Sequence, residues 1–181
     1  FIHQTLIKLQ ERLTAMGSSL LVRYGRPLPV WQGLLAEFNV TAVYLNRDYE
    51  PQARQRDEAV AGLLKEHGIP LHEYKDQVVF DQAEVCKDDG SPYTVFTPFA
   101  KKWRSLLRPH HLAPFATDRA FSSFIKKEPF ALPALAEIGF KPSSMLFPSA
   151  ELPEEIVADY DKTRDYPALA GTTRLGLHLR F

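Results

Sequence analysis

The chain has 181 residues, no formal net charge and 45% hydrophobic residues, which suffices for a packed core in one domain with a modest extension. No apolar run approaches the ~18 residues that span a bilayer, and Phe1 to Gln4 has neither the basic nor the apolar region of a signal peptide, which points to a cytoplasmic protein. The balanced charge excludes a generally basic nucleic-acid binder, so any DNA contact must come from a local patch, and the single Cys86 cannot form an internal disulfide.

Ile2, Leu6, Leu9, Leu13 and Met16 recur at three- and four-residue steps, predicting an amphipathic helix that stops at Gly17. A helix with no capping sequence before it suggests an element missing upstream. Ser19 to Tyr24 and Thr41 to Asn46 read as strands, with a helix between them carrying Val30, Trp31, Leu34, Leu35 and Phe38 on one face. A second helix follows over Asp57 to His67, then Gly68 and a strand over Pro70 to Tyr74. This alternation with short connections predicts an open, mostly parallel α/β sheet with helices on both faces and right-handed crossovers.

Ligands of such sheets lie beyond the carboxyl ends of the strands, where Asn46 to Pro51 is dense in polar side chains. Two readings stand side by side: the loop holds a ligand, or Asp48 and Glu50 cap the next helix while Arg54 and Arg56 pair with neighbouring acids. No glycine fingerprint occurs at a strand-to-helix turn, which argues against a nicotinamide-dependent dehydrogenase, and no phosphate-cradling Gly-Lys-Ser/Thr loop is present. Val78 to Phe80 is a candidate short strand. Tyr93 to Phe99 enters a helix with Thr97 as its cap and Pro98 at its first position, continuing through Trp103, Leu106 and Leu107 to Pro109. The cations Lys101, Lys102, Arg104 and Arg108 on that helix read as a solvated face in preference to the alternative, a nucleic-acid contact.

Seven of the 14 prolines fall between Pro109 and Pro153, interleaved with six phenylalanines and without a sustained apolar period. This predicts a connector that wraps over a folded surface in extended segments and single turns. His110 and His111 lack a carboxylate or cysteine at ligand spacing, so no metal site is assigned. Glu151 to Glu155 opens a second domain. Its final stretch, Tyr160 to Phe181, carries Tyr160, the run Gly171 to Arg174, and the cations Arg164 and Arg180, a set suited to a phosphate-bearing ligand. The apolar residues after Arg174 read as the start of an element with no room to finish, so the chain is expected to be a piece cut inside a binding motif.

Three runs together resemble the DNA photolyase and cryptochrome family: Val43 to Pro51 with Arg54 to Asp57, Pro92 to Phe99, and Tyr160 to Arg180 with its Arg-Asp-Tyr-Pro and Gly-Thr-Thr-Arg-Leu segments. The likeness covers nearly the whole chain in order and is greatest to bacterial cyclobutane pyrimidine dimer (deoxyribodipyrimidine) photolyases. It implies an N-terminal α/β antenna domain over 1–108 lacking its first strand, an interdomain connector over 109–150, and the opening helices of an all-α FAD-binding domain over 151–181. It further implies a flavoprotein carbon-carbon lyase in which photoexcited reduced FAD passes an electron to a pyrimidine dimer flipped out of the duplex. The full-length enzyme would be a monomer acting on damaged DNA without a membrane, and the fragment would be inactive. The resemblance places FAD contacts on Tyr160, Thr172, Thr173, Arg174, Leu175 and Gly176, and a DNA contact on Arg164, whose residue-level alternative is an ion pair with Asp161 or Asp165. Catalytic residues would fall beyond Phe181. Folate-binding relatives have an Asn-Glu pair where this chain has Gln52 and Ala53, so the antenna chromophore is expected to be a deazaflavin or another flavin, or absent, rather than a folate. The alternative function is a cryptochrome-type blue-light receptor that binds FAD without efficient repair; an unrelated nucleotide-binding α/β domain is the remaining reading.

Overall fold

A computed structural model describes residues 1–81, 83–141 and 143–180, except for the side chain of Arg180. Contacts divide the chain into two compact units, Arg23–Ser122 and a second made of Phe1–Val22 with Ser123–Phe181.

The first unit is built on a parallel β-α-β crossover. Strand β1 (Val43–Asn46) pairs with β2 (Leu71–Tyr74) in the register Val43 to Leu71 through Asn46 to Tyr74, and flanking bonds from Val43 N–H to Pro70 O and Arg47 N–H to Tyr74 O extend the ladder. Two helices belong to this layer, α2 (Pro27–Glu37) and the crossover helix α3 (Pro51–Glu66), each with proline in its first turn, where the missing N–H has no intrahelical acceptor to lose. Val60 and Leu64 lie four apart on α3 and meet Val43 in the core, with Trp31, Leu35, Val40, Ile69 and Leu71 packed around them. Leu64 is fully buried. Helix α3 ends at His67 and Gly68, where Gly68 takes φ +68° and Ile69 N–H bonds back to Leu64 O. The other sheet face is open: Tyr44 stacks on His72 at 4.7 Å, with Tyr74 at 6.4 Å.

The remaining helix of this unit is α4 (Phe96–Leu106). It starts two residues earlier than the sequence suggested, with Val95 as N-cap, so Thr97 is not the cap and Pro98 is the third helical residue. The position tolerates proline because the first helical N–H groups have no carbonyl to bond. Past Leu107, Pro109–His111 forms a short 3-10 turn and Thr117–Ser123 a longer 3-10 segment.

In the second unit, α1 (Ile2–Ala15) stops at Met16 and Gly17, the latter at φ +73°. Its Gln10 is buried yet satisfied: Nε2 donates to Phe130 O at 3.0 Å and to Ser19 Oγ at 2.9 Å, and Oε1 accepts Leu20 N–H. Ser19 Oγ in turn accepts Phe130 N–H at 2.8 Å. Short helices α5 (Glu154–Ala158), α6 (Tyr160–Thr163) and α7 (Gly176–Arg180) close the unit.

Two expected strands do not form. Ser19 to Tyr24 has strand composition, but among the described residues the sheet contains β1 and β2 alone, and the Leu20 N–H is taken by a glutamine side chain instead of a neighbouring strand. Val78 to Phe80 is a bend that turns toward α4. A strand without a ladder partner leaves its backbone groups to other acceptors, and periodicity cannot report whether that partner exists.

Candidate functional site

Two loops gather the chemistry, one in each unit. At the carboxyl ends of β1 and β2 a cleft of about 330 Å³ is lined by Arg47, Asp48, Tyr49, Arg54, Lys75 and Asp81 among others. Parallel strands end together here, so their following loops face one another. Asp48 Oδ1 accepts the Glu50 N–H at 3.0 Å and folds the loop on itself. Glu50 occupies the N-cap position of α3 without a side-chain cap bond, so it does not cap the helix as the sequence allowed, although the charges of both acids still lie near its positive end. Arg47 pairs with Asp81 at 3.2 Å across the cleft, and Arg56 Nε donates to Asp57 at 2.7 Å. That hydrogen bond, against some desolvation, raises the Arg56 pKa above its ordinary value, and the charges of Asp57 and Asp48 add to it. Ala53 is buried in the first turn of α3 and Gln52 is exposed, so Ala53 offers neither a carboxylate nor an open position to a ligand.

A second cluster borders this cleft. Lys75 Nζ holds both oxygens of Glu84, and Glu84 also accepts the Asp81 N–H. These donors, the lysine first, pull the Glu84 carboxyl below its usual range. His111 Nδ1 accepts the Arg108 N–H at 2.9 Å, and its ring meets Phe80 edge-on at 5.0 Å. Desolvation first, then the charges of His110, Lys75 and Arg108, lower the His111 pKa, with Glu84 opposing. The sequence showed the two histidines only as a pair without further ligands. Among the described residues, no group of three histidine, cysteine or acidic side chains could hold a metal.

In the other unit, Tyr160 opens α6 and Arg164 follows it, while Thr163 of the same helix meets Gly171 at the start of the Gly171–Arg174 run. Arg164 sits one turn after Tyr160, and its guanidinium lies 5.7 Å from that ring's centre. Its Nε is 3.8 Å from Asp165 Oδ1, beyond hydrogen-bond reach, and both side chains are more than half exposed, so the pair is a weak, solvent-screened contact. Gly171 is buried; Thr172 and Arg174 are exposed, and Thr173 and Leu175 are partly buried. Arg174 adopts φ +55°, a left-handed conformation that costs a non-glycine residue about 1–3 kcal/mol and persists where surroundings dictate it. Gly176 then opens α7, whose His178 Nε2 lies 2.8 Å from Pro148 O and whose ring meets Phe1 at 5.1 Å. The Arg180 side chain and Phe181 lie outside the described residues. Sequence reading missed Thr163, which faces this loop from α6; a threonine between two charged residues gives no signal of it.

The fold and these loops define a parallel α/β protein with a polar cleft beyond its strand ends and a hydroxyl- and arginine-bearing loop near its C-terminal end. A family model described as DNA photolyase matches residues 1–118, and the chain belongs to that family. It is 31% identical to a deoxyribodipyrimidine photo-lyase of Synechococcus over all of this chain and 40% of that protein, and 26% identical to cryptochrome-1 of Spalax judaei over 83% of this chain and 27% of that one. A solved bacterial class III photolyase from Agrobacterium tumefaciens superposes with a TM-score of 0.66 at 22% identity, covering 98% of this chain and 40% of its own. The chain thus spans about 40% of the length of each of these two photolyases.

Proposed function

We propose that this chain is part of a light-dependent DNA repair enzyme, a deoxyribodipyrimidine photo-lyase, that splits cyclobutane pyrimidine dimers. The observation that carries this reading is that, in a member of the photolyase family, Tyr160, Arg164 and the Gly171–Arg174 loop lie in one compact unit, where Tyr160 meets Arg164 and Thr163 between them meets Gly171. Their donor chemistry fits FAD: two adjacent threonine hydroxyls, the permanent cation of Arg174 and the backbone N–H groups through Gly176 suit a pyrophosphate, while Tyr160 is 43% exposed and can pack against the rest of the cofactor. When bound and reduced, FAD would supply one electron on excitation and recover it after the two bonds of the cyclobutane ring have opened, so the reaction needs no net oxidant. Arg164, exposed and only weakly paired, is free to turn its forked donors to a DNA phosphate and fix the register of the damaged strand.

In this reading residues 1–108 belong to the antenna domain, 109–150 to the connector and 151–181 to the entry of the FAD-binding domain. The complete protein is a cytoplasmic monomer, and among the described residues no helix is long and apolar enough to cross a membrane. The sheet-end cleft is the place for an antenna chromophore, a deazaflavin or other flavin rather than a folate, because Ala53 is buried and carries no carboxylate. The relatedness to cryptochrome-1 supports a second reading, a blue-light receptor that binds FAD without efficient repair. One experiment separates them: the complete gene product, purified with its flavin, is mixed with dimer-containing DNA in light and in darkness. Loss of dimers only in light is the expected result. Flavin binding without repair would favour the receptor, and absence of flavin would overturn both.

A further inference from the structure

Thr163 ends α6, and its side chain reaches the first residue of the hydroxyl-bearing loop. Its Oγ1 donates to Asp159 O at 2.9 Å and lies 3.4 Å from Gly171 O, so a single proton is shared between the helix's own last turn and the loop. The same side chain presses on Gly171: a Cβ built there would stand 2.5 Å from Thr163 Cβ and 3.0 Å from its carbonyl carbon. Gly171 is buried, so this is a packed contact, and only glycine brings the two backbones so close. Three residues later Arg174 adopts a left-handed conformation, at the far end of the same short run.

We propose that Thr163 is a positioning residue for phosphate recognition, pinning Gly171 so that Thr172, Thr173 and Arg174 are held ready for the anionic part of the ligand. The identity of that ligand as FAD rests on the function proposed above; the pinning does not.

The test compares Thr163→Val, which keeps the shape and removes the hydroxyl, with Thr163→Ser, which keeps the hydroxyl, in the complete gene product. Amide hydrogen exchange is read over residues 171–175, and FAD affinity by titration of the flavin-stripped protein. Removing a net hydrogen bond predicts about fivefold faster loop exchange and about fivefold weaker FAD binding in Thr163→Val, with Thr163→Ser near the parent. Equal loop exchange in the two variants overturns the proposal, as does faster exchange with unchanged FAD affinity. A parent protein that binds no FAD sinks the flavin reading, and loop exchange alone then decides the role of Thr163. Gly171→Ala should loosen the loop as well, and adding Thr163→Gly should restore part of its protection; an alanine tolerated without Thr163→Gly would count against the close contact.

Discussion

At the scale of single residues, Arg164 is the position where two readings of the same side chain make different demands. An ion pair with Asp165 would hold the guanidinium against its own helix, yet at 3.8 Å and with both groups exposed that contact contributes little. The proposed DNA contact predicts that Arg164→Ala in the complete protein leaves the bound flavin unchanged and reduces by about one the slope of log affinity for damaged DNA against log salt. An unchanged slope would return Arg164 to the role of a surface ion-pair partner. Its location was legible from the Arg-Asp-Tyr-Pro run, but its stacking toward Tyr160 was not, because one-turn spacing brings two residues near without specifying their rotamers.

At the scale of elements, the crossover β1-α3-β2 was readable because Val60 and Leu64 repeat at the helical step on α3 and β1 alternates inward and outward positions, whereas β2, with three exposed residues in a row, was marked only by Gly68 and Pro70 before it. Its core depends on Leu64, and Leu64→Ala should cost about 2–5 kcal/mol in a urea titration, since the cavity it leaves is fully enclosed. The loss of the strands expected at Ser19 to Tyr24 and Val78 to Phe80 has a different origin: strand formation depends on a neighbour's backbone, which composition does not encode. The turn at His111 was likewise hidden, since its imidazole acts as a backbone acceptor. That role needs neutral Nδ1, and the groups facing the ring from other elements are Lys75 and Glu84, beside His110 and Arg108 on its own. With its folded pKa lowered, His111 contributes stability that is complete above the ordinary imidazole value of about 6.5 and is lost as pH falls below it, because the unfolded chain binds the proton first. Glu84, also lowered, adds a loss of the same sign at more acid pH. The protection of the Arg108 amide, its exchange rate measured against the intrinsic rate at each pH, should therefore fall on acidification from about pH 7 to about pH 5, and His111→Asn, which can still accept the bond, should flatten that dependence.

At the scale of the whole molecule, family membership was legible because three separated runs keep their order along the chain, while the division into two units was not, since it joins the first 22 residues to the last third through buried Gln10 and its partners. The proposed antenna site carries its own expectation: the complete protein should purify without stoichiometric methenyltetrahydrofolate, which absorption of the released chromophores would check. The two units also differ in a way that helps to study them. Both tryptophans, Trp31 against the core of the crossover and Trp103 edge-on to Phe80, lie in the unit Arg23–Ser122. Intrinsic tryptophan emission of this chain thus originates in that unit, within reach of the Leu64 core, so Leu64→Ala should lower the midpoint of its emission melt.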